Sequence, residues 1–124
     1  MKMPRVMRRR QGAFVADVVA ILVFVLIGRR VHDHGVSVTG LASTFWPFGV
    51  GLIGGWLVAI RRRLHVATLR GGGAIVIVTV VIGMLLRRLA GQGTATAFIV
   101  VAFAFLGASM LGWRLVYSLF ARRR

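Results

Sequence analysis

Long apolar runs separated by short basic or polar segments organise this chain of 124 residues. The first run covers residues 12–28 and follows the basic segment MKMPRVMRRRQ; the others cover about 41–60, 72–86 and 95–120. A helical crossing of a bilayer takes roughly 20 apolar residues, with a range of about 17–25. The second and fourth runs meet this length. The third does so only by continuing through Arg87 and Arg88, whose long side chains can reach the headgroups from inside a helix end. The pattern predicts an all-α polytopic membrane protein with four transmembrane helices over about 12–28, 41–60, 72–89 and 95–120. A basic leader at 1–11 and a basic tail at 121–124 flank them. Ser43 or Thr44 is placed to cap an inner start of the second helix at Trp46-Pro47, because proline suits a first turn. Gly71-Gly72-Gly73 reads as a flexible lead-in to the third helix.

A basic head before an apolar run is also the pattern of a signal peptide. This run is longer than a signal core and ends in Gly28-Arg29-Arg30 without a small-x-small site, so the first helix is expected to be retained. Composition agrees with a membrane setting: hydrophobic residues make up 58% of the chain, more than a soluble domain of this size can bury.

The net charge of +15 raises the question of nucleic acid. The basic residues, however, form short clusters between apolar runs rather than a face or tail, which is the arrangement of membrane topogenesis. Lys2, Arg5, Arg8–10, Arg61–63, Arg70 and Arg122–124 fall on one side, twelve in all, against four at Arg29, Arg30, Arg87 and Arg88. The positive-inside rule then places both termini in the cytoplasm. All the basic residues but Lys2 are arginine; with abundant Ala, Val and Gly this points to a GC-rich bacterial genome, and so to a bacterial cytoplasmic membrane. The chain has no cysteine, which excludes disulfides and thiolate chemistry.

An internal repeat is legible. Arg29-Arg30 is followed by Gly35, and Arg87-Arg88 by Gly93, at the same spacing; Gly55-Trp56 in the second helix is matched by Gly112-Trp113 in the fourth. Two tandem helical hairpins related by a pseudo-two-fold axis along the membrane normal would produce this pattern. Small residues recur at helix-contact spacing at Gly12, Ala16 and Ala20, at Gly51 and Gly55, and at Ala104, Ala108 and Gly112. They suit packing within the bundle or a homodimer contact.

Few residues can carry chemistry. Asp17 is the one acidic residue inside a run, about 10 Å from its start at roughly 1.5 Å per residue. Arg114 lies at nearly the same depth in the fourth helix. A charge in hydrocarbon needs a partner, water or a proton, so the alternatives are an Asp17–Arg114 ion pair, a proton- or substrate-linked carboxylate, and snorkelling of both groups. Arg29, Arg30, Arg87 and Arg88 oppose the overall charge trend. They are expected either to anchor at headgroups or to converge on one outer site for an anionic ligand or headgroup. His32, Asp33 and His34 form a polar loop cluster, too small by itself for a metal site. Trp46, Trp56, Trp113 and Tyr117 suit aromatic belts. No catalytic constellation or cofactor motif is present.

The segments ADVVAILVFVLIGRRVHDHG, STFWPFGVGLIGGW and VIGMLLRRLAGQGTATAFIVVAFAFLGASMLGWR resemble the bacterial membrane proteins grouped as domain of unknown function 3054. The matching residues are Asp17, Gly28, Arg29, Asp33, Trp46, Pro47, Gly83, Arg87, Gly93 and Thr94. The resemblance implies a four-helix integral membrane protein and carries over no activity. The expected function is therefore that of a non-enzymatic accessory or lipid-interacting membrane protein, with anionic headgroups, a membrane protein complex or a second copy as partners, and no nucleic acid. The alternative is a small ion-coupled transporter using Asp17. It is similar in size to the small multidrug-resistance exporters but lacks their Glu-centred first-helix motif.

Overall fold

Backbone inside hydrocarbon has no water to bond, so each crossing must satisfy its own N–H and C=O groups, and an α-helix does this within one segment. The computed structural model describes the backbone of residues 5–31 and 37–122 and the side chains of residues 10–29 and 37–120. It is helical throughout: α1 (Arg5–Val31), α2 (Val38–Arg61), α3 (Leu69–Leu89) and α4 (Thr96–Arg122), with no strand among the described residues. Their apolar stretches of 20, 24, 21 and 25 residues make all four long and apolar enough to cross a membrane. At about 1.5 Å per residue even the shortest reaches about 30 Å, the thickness of the hydrocarbon core. α3 does continue through Arg87 and Arg88.

The helices form a ring. α1 and α3 each pack on α2 and α4, and across the diagonals no two backbones come close among the described residues, although the Phe48 and Phe98 rings of α2 and α4 meet at 6.2 Å in the centre. The α2–α3 interface is the most extensive and the α1–α4 interface the least. Glycine explains the first. A Cβ on Gly51 would overlap the Thr79 carbonyl, and one on Gly55 would stand 2.9 Å from the Ile75 carbonyl oxygen. The two backbones therefore meet where only glycine fits. The α4 stripe behaves differently: Ala104 and Ala108 are exposed, and nothing lies within 4 Å of a Cβ built on Gly112. Gly12 on α1 is equally open, whereas Ala20 is buried. An aromatic cluster fills the centre. Phe24 and Phe48 meet edge-on at 5.6 Å, Phe24 also contacts Phe98 and Phe105, and the Phe48 ring lies over Gly83.

Three expectations about helix ends are corrected. First, α2 begins at Val38, capped by Ser37, whose Oγ accepts the Gly40 N–H at 3.0 Å. Ser43 and Thr44 do not cap an inner start; both hydroxyls donate back to the Gly40 carbonyl. Pro47 then lies inside the helix. It has no N–H for the carbonyl four residues earlier, and that carbonyl, on Ser43, instead accepts Nε2 of Gln92 at 3.0 Å. Second, the glycine triplet is no lead-in. Thr68 caps α3 by accepting the Gly71 N–H at 3.1 Å, so all three glycines are helical. Gly71 leaves room for the His65 carbonyl and Gly72 for the stem of Arg114. Third, α1 starts seven positions before the apolar run, at Arg5.

The connectors that follow α2 and α3 are closed by the same device. After α3, the Gln92 N–H bonds the Arg87 carbonyl and the Gly91 N–H bonds that of Arg88, with Gly91 at φ 76°. After α2, Leu64 bonds Ala59 and Arg63 bonds Ile60, with Arg63 at φ 56°. Both are Schellman closures, which require a left-handed residue just beyond the helix.

Candidate functional site

Two polar constellations lie near opposite ends of the bundle. At the first, the structure brings Asp17 and Arg114 together. Nη2 of Arg114 stands 2.7 Å from Oδ2 and Nη1 2.8 Å from Oδ1, and neither side chain has any exposure. The planar guanidinium fork fits a carboxylate in this bidentate way. Two further donors complete the carboxylate: the Trp56 indole N–H to Oδ2 and the Trp113 indole N–H to Oδ1, both at 3.0 Å. Arg114 also donates through Nε to the Val66 carbonyl at 2.7 Å and through Nη1 to the Met110 carbonyl at 2.9 Å, and its guanidinium lies 4.4 Å from the centre of the Trp113 ring. The cluster thus ties α1, α2, α4 and the α2–α3 connector to one point, with Gly72 of α3 against the arginine stem.

This arrangement corrects the reading of two tryptophans. Trp56 is buried and Trp113 half-buried, both turned onto Asp17 rather than standing in an aromatic belt. Trp46 and Tyr117 are exposed. The signal that marked Trp56 and Trp113 was their shared Gly-Trp context in the two halves of the chain.

The second constellation surrounds a cavity of about 630 Å³ that both Arg29 and Arg87 line. Arg29 donates through Nη1 to Thr44 Oγ1 at 3.0 Å, and its guanidinium lies against Gly40, where a Cβ would overlap it. Arg87 donates through Nε to the Gly93 carbonyl at 3.0 Å and through Nη1 to Gln92 Oε1 at 2.9 Å, with its guanidinium carbon 4.5 Å from the centre of the Phe98 ring. Gln92 is the same residue that bonds the carbonyl freed by Pro47. The proline therefore helps to set the connector that positions Arg87. The walls are mainly apolar, with Phe24, Val25, Phe98 and Val101 among them.

The four arginines do not all converge. Arg88 is exposed and outside this cavity. The side chain of Arg30 and the whole of His32, Asp33 and His34 lie outside the described residues. Among the described residues no group of three or more His, Asp or Glu side chains is placed to hold a metal ion.

Four apolar helices around a buried ion pair define an integral membrane protein. Its family follows from comparison: residues 14–117 match the family described as "Protein of unknown function (DUF3054)", and the chain belongs to that family. No curated protein and no solved structure matches the chain.

Proposed function

We propose that this protein is a non-enzymatic component of the bacterial cytoplasmic membrane that acts by binding anionic lipid, with both termini in the cytoplasm and the Arg29/Arg87 cavity toward the outer face. One observation carries the reading. Arg87 lines a largely apolar cavity to which no described residue brings a carboxylate, and a guanidinium in such a place favours an anionic partner. The excess of basic residues in the opposite connector and the terminal segments supports the orientation. An accessory role in a membrane complex, or a homodimer, fits the outward face of α4, where Ala104 and Ala108 leave room for another helix.

The ion-coupled alternative would need Asp17 to open to water. Its zero exposure and the donors on both oxygens argue the other way. Replacement of Arg29 and Arg87 together by Gln is expected to release anionic lipid that native mass spectrometry detects on the wild-type protein. Equal retention by both proteins overturns the reading and leaves the arginines as interface anchors.

A further inference from the structure

The cavity contains more than a headgroup would use. From Arg29 and Arg87 it runs along α1 past Gly28 to Phe24 and along α4 past Phe98 to Val101. Val101 is 54% exposed and Ala97 is exposed as well, yet both line the cavity. The space therefore reaches the side of the bundle that meets lipid, at the α1–α4 interface, where the helices touch least. Its volume, about 630 Å³, falls within the roughly 300–1,000 Å³ typical of small-molecule sites. At its polar end, Arg87 spends Nε and Nη1 on Gly93 and Gln92, and its Nη2 has no partner among the described residues.

Resting on the headgroup reading above, we propose that this cavity is a site for an anionic amphiphile: a phosphate or carboxylate at Arg87 and one acyl chain lying in the cleft between α1 and α4. A soluble anion would share the guanidinium contact but leave the apolar length empty. A neutral lipid would fill the length and leave Nη2 unpaired. An anionic single-chain lipid uses both, and the lateral opening gives it a route from the bilayer.

Gly28 provides a clean test. It lines the cavity, and a Cβ there would meet nothing within 4 Å, so the side chain of Gly28→Phe leaves the backbone into open space and takes up volume in the cleft from α1. Val101→Trp fills it from α4. Purified protein in a maltoside detergent is titrated with lysophosphatidylglycerol and with glycerol 3-phosphate, read by native mass spectrometry, with thermal melting as the control for folding. The wild type is expected to bind the lysolipid at least about tenfold more tightly than the chain-free phosphate, and each filling variant to lose about tenfold, or about 1.4 kcal/mol. Equal affinity of the wild type for the two probes overturns the proposal in favour of a soluble anion. Undiminished lysolipid binding by both folded filling variants overturns it by placing the chain elsewhere. Arg87→Gln separates the two readings: if it loses binding while the filling variants do not, the headgroup reading stands and the acyl-chain inference falls. If it binds as the wild type does, the headgroup reading falls and the inference with it.

Discussion

Asp17→Asn changes one atom of the buried cluster and should be felt across the bundle. The substitution keeps the side chain's shape but turns one acceptor oxygen into an NH2 group. That group must then face either Trp56 Nε1 and Arg114 Nη2 or Trp113 Nε1 and Arg114 Nη1, all of them donors. A buried polar group left unsatisfied costs about 1–3 kcal/mol, and removal of one partner from a buried ion pair about 3–5 kcal/mol. Hydrogen bonds between transmembrane helices couple more weakly, about 0.6 kcal/mol on average and about 1.7 at most, because the unfolded chain in the membrane also finds partners. Here the contact is bidentate and charge-assisted, and neither side chain is exposed, which sets it above those neutral pairs. The expected loss is about 3 kcal/mol for Asp17→Asn and about the same for Arg114→Gln, which leaves the carboxylate with only the two indoles. The double variant should recover at least about 2 kcal/mol of the summed loss, since it removes the charge from both sides. Reversible unfolding of the wild type, both single variants and the double variant in mixed micelles, followed by circular dichroism, measures this coupling. Losses that add to within about 0.5 kcal/mol would refute direct coupling. A stable Asp17→Asn protein would also refute it, and would favour a carboxylate held for ion transport.

Three further outcomes are expected. Gly51→Ala should destabilise the protein by about 1–3 kcal/mol in the same unfolding assay, because its Cβ overlaps the Thr79 carbonyl and α2 and α3 must part; a neutral result would contradict the close approach. Arg63→Gly should stabilise by up to about 1 kcal/mol, since Arg63 adopts the left-handed conformation that costs a side chain about 1–2 kcal/mol; a loss of stability would mean that the Arg63 side chain contributes more than its backbone costs. The absence of native cysteine makes labelling direct: Cys at the exposed positions Thr39 and Ala90 should react in intact cells, and Cys at the exposed His65 only after permeabilisation. The opposite pattern would invert the proposed orientation.

The sequence by itself determined the number of helices and most of their length, because the bilayer sets both. A crossing must be apolar over a set distance and must satisfy its own backbone, and those demands are local. It also determined that Asp17 and Arg114 stood at matching depth, since depth along a helix is a count of residues. Rotation about the helix axis is a different matter. In an apolar helix nothing local says which way a side chain faces, so a tryptophan near a helix end reads the same whether it meets headgroups or, like Trp56 and Trp113, a buried carboxylate. Arg87 and Arg88 are neighbours in sequence, yet about 100° of helical turn sends one into the cavity and the other out. Tertiary structure alone decided the fate of Pro47 as well. A proline inside a membrane helix is tolerated when another group takes the carbonyl it frees, and the partner here, Gln92, lies 49 residues further along the chain. Where a requirement is met within one helix, the residues announce it; where it is met by an atom on another helix, only the packed bundle supplies the answer.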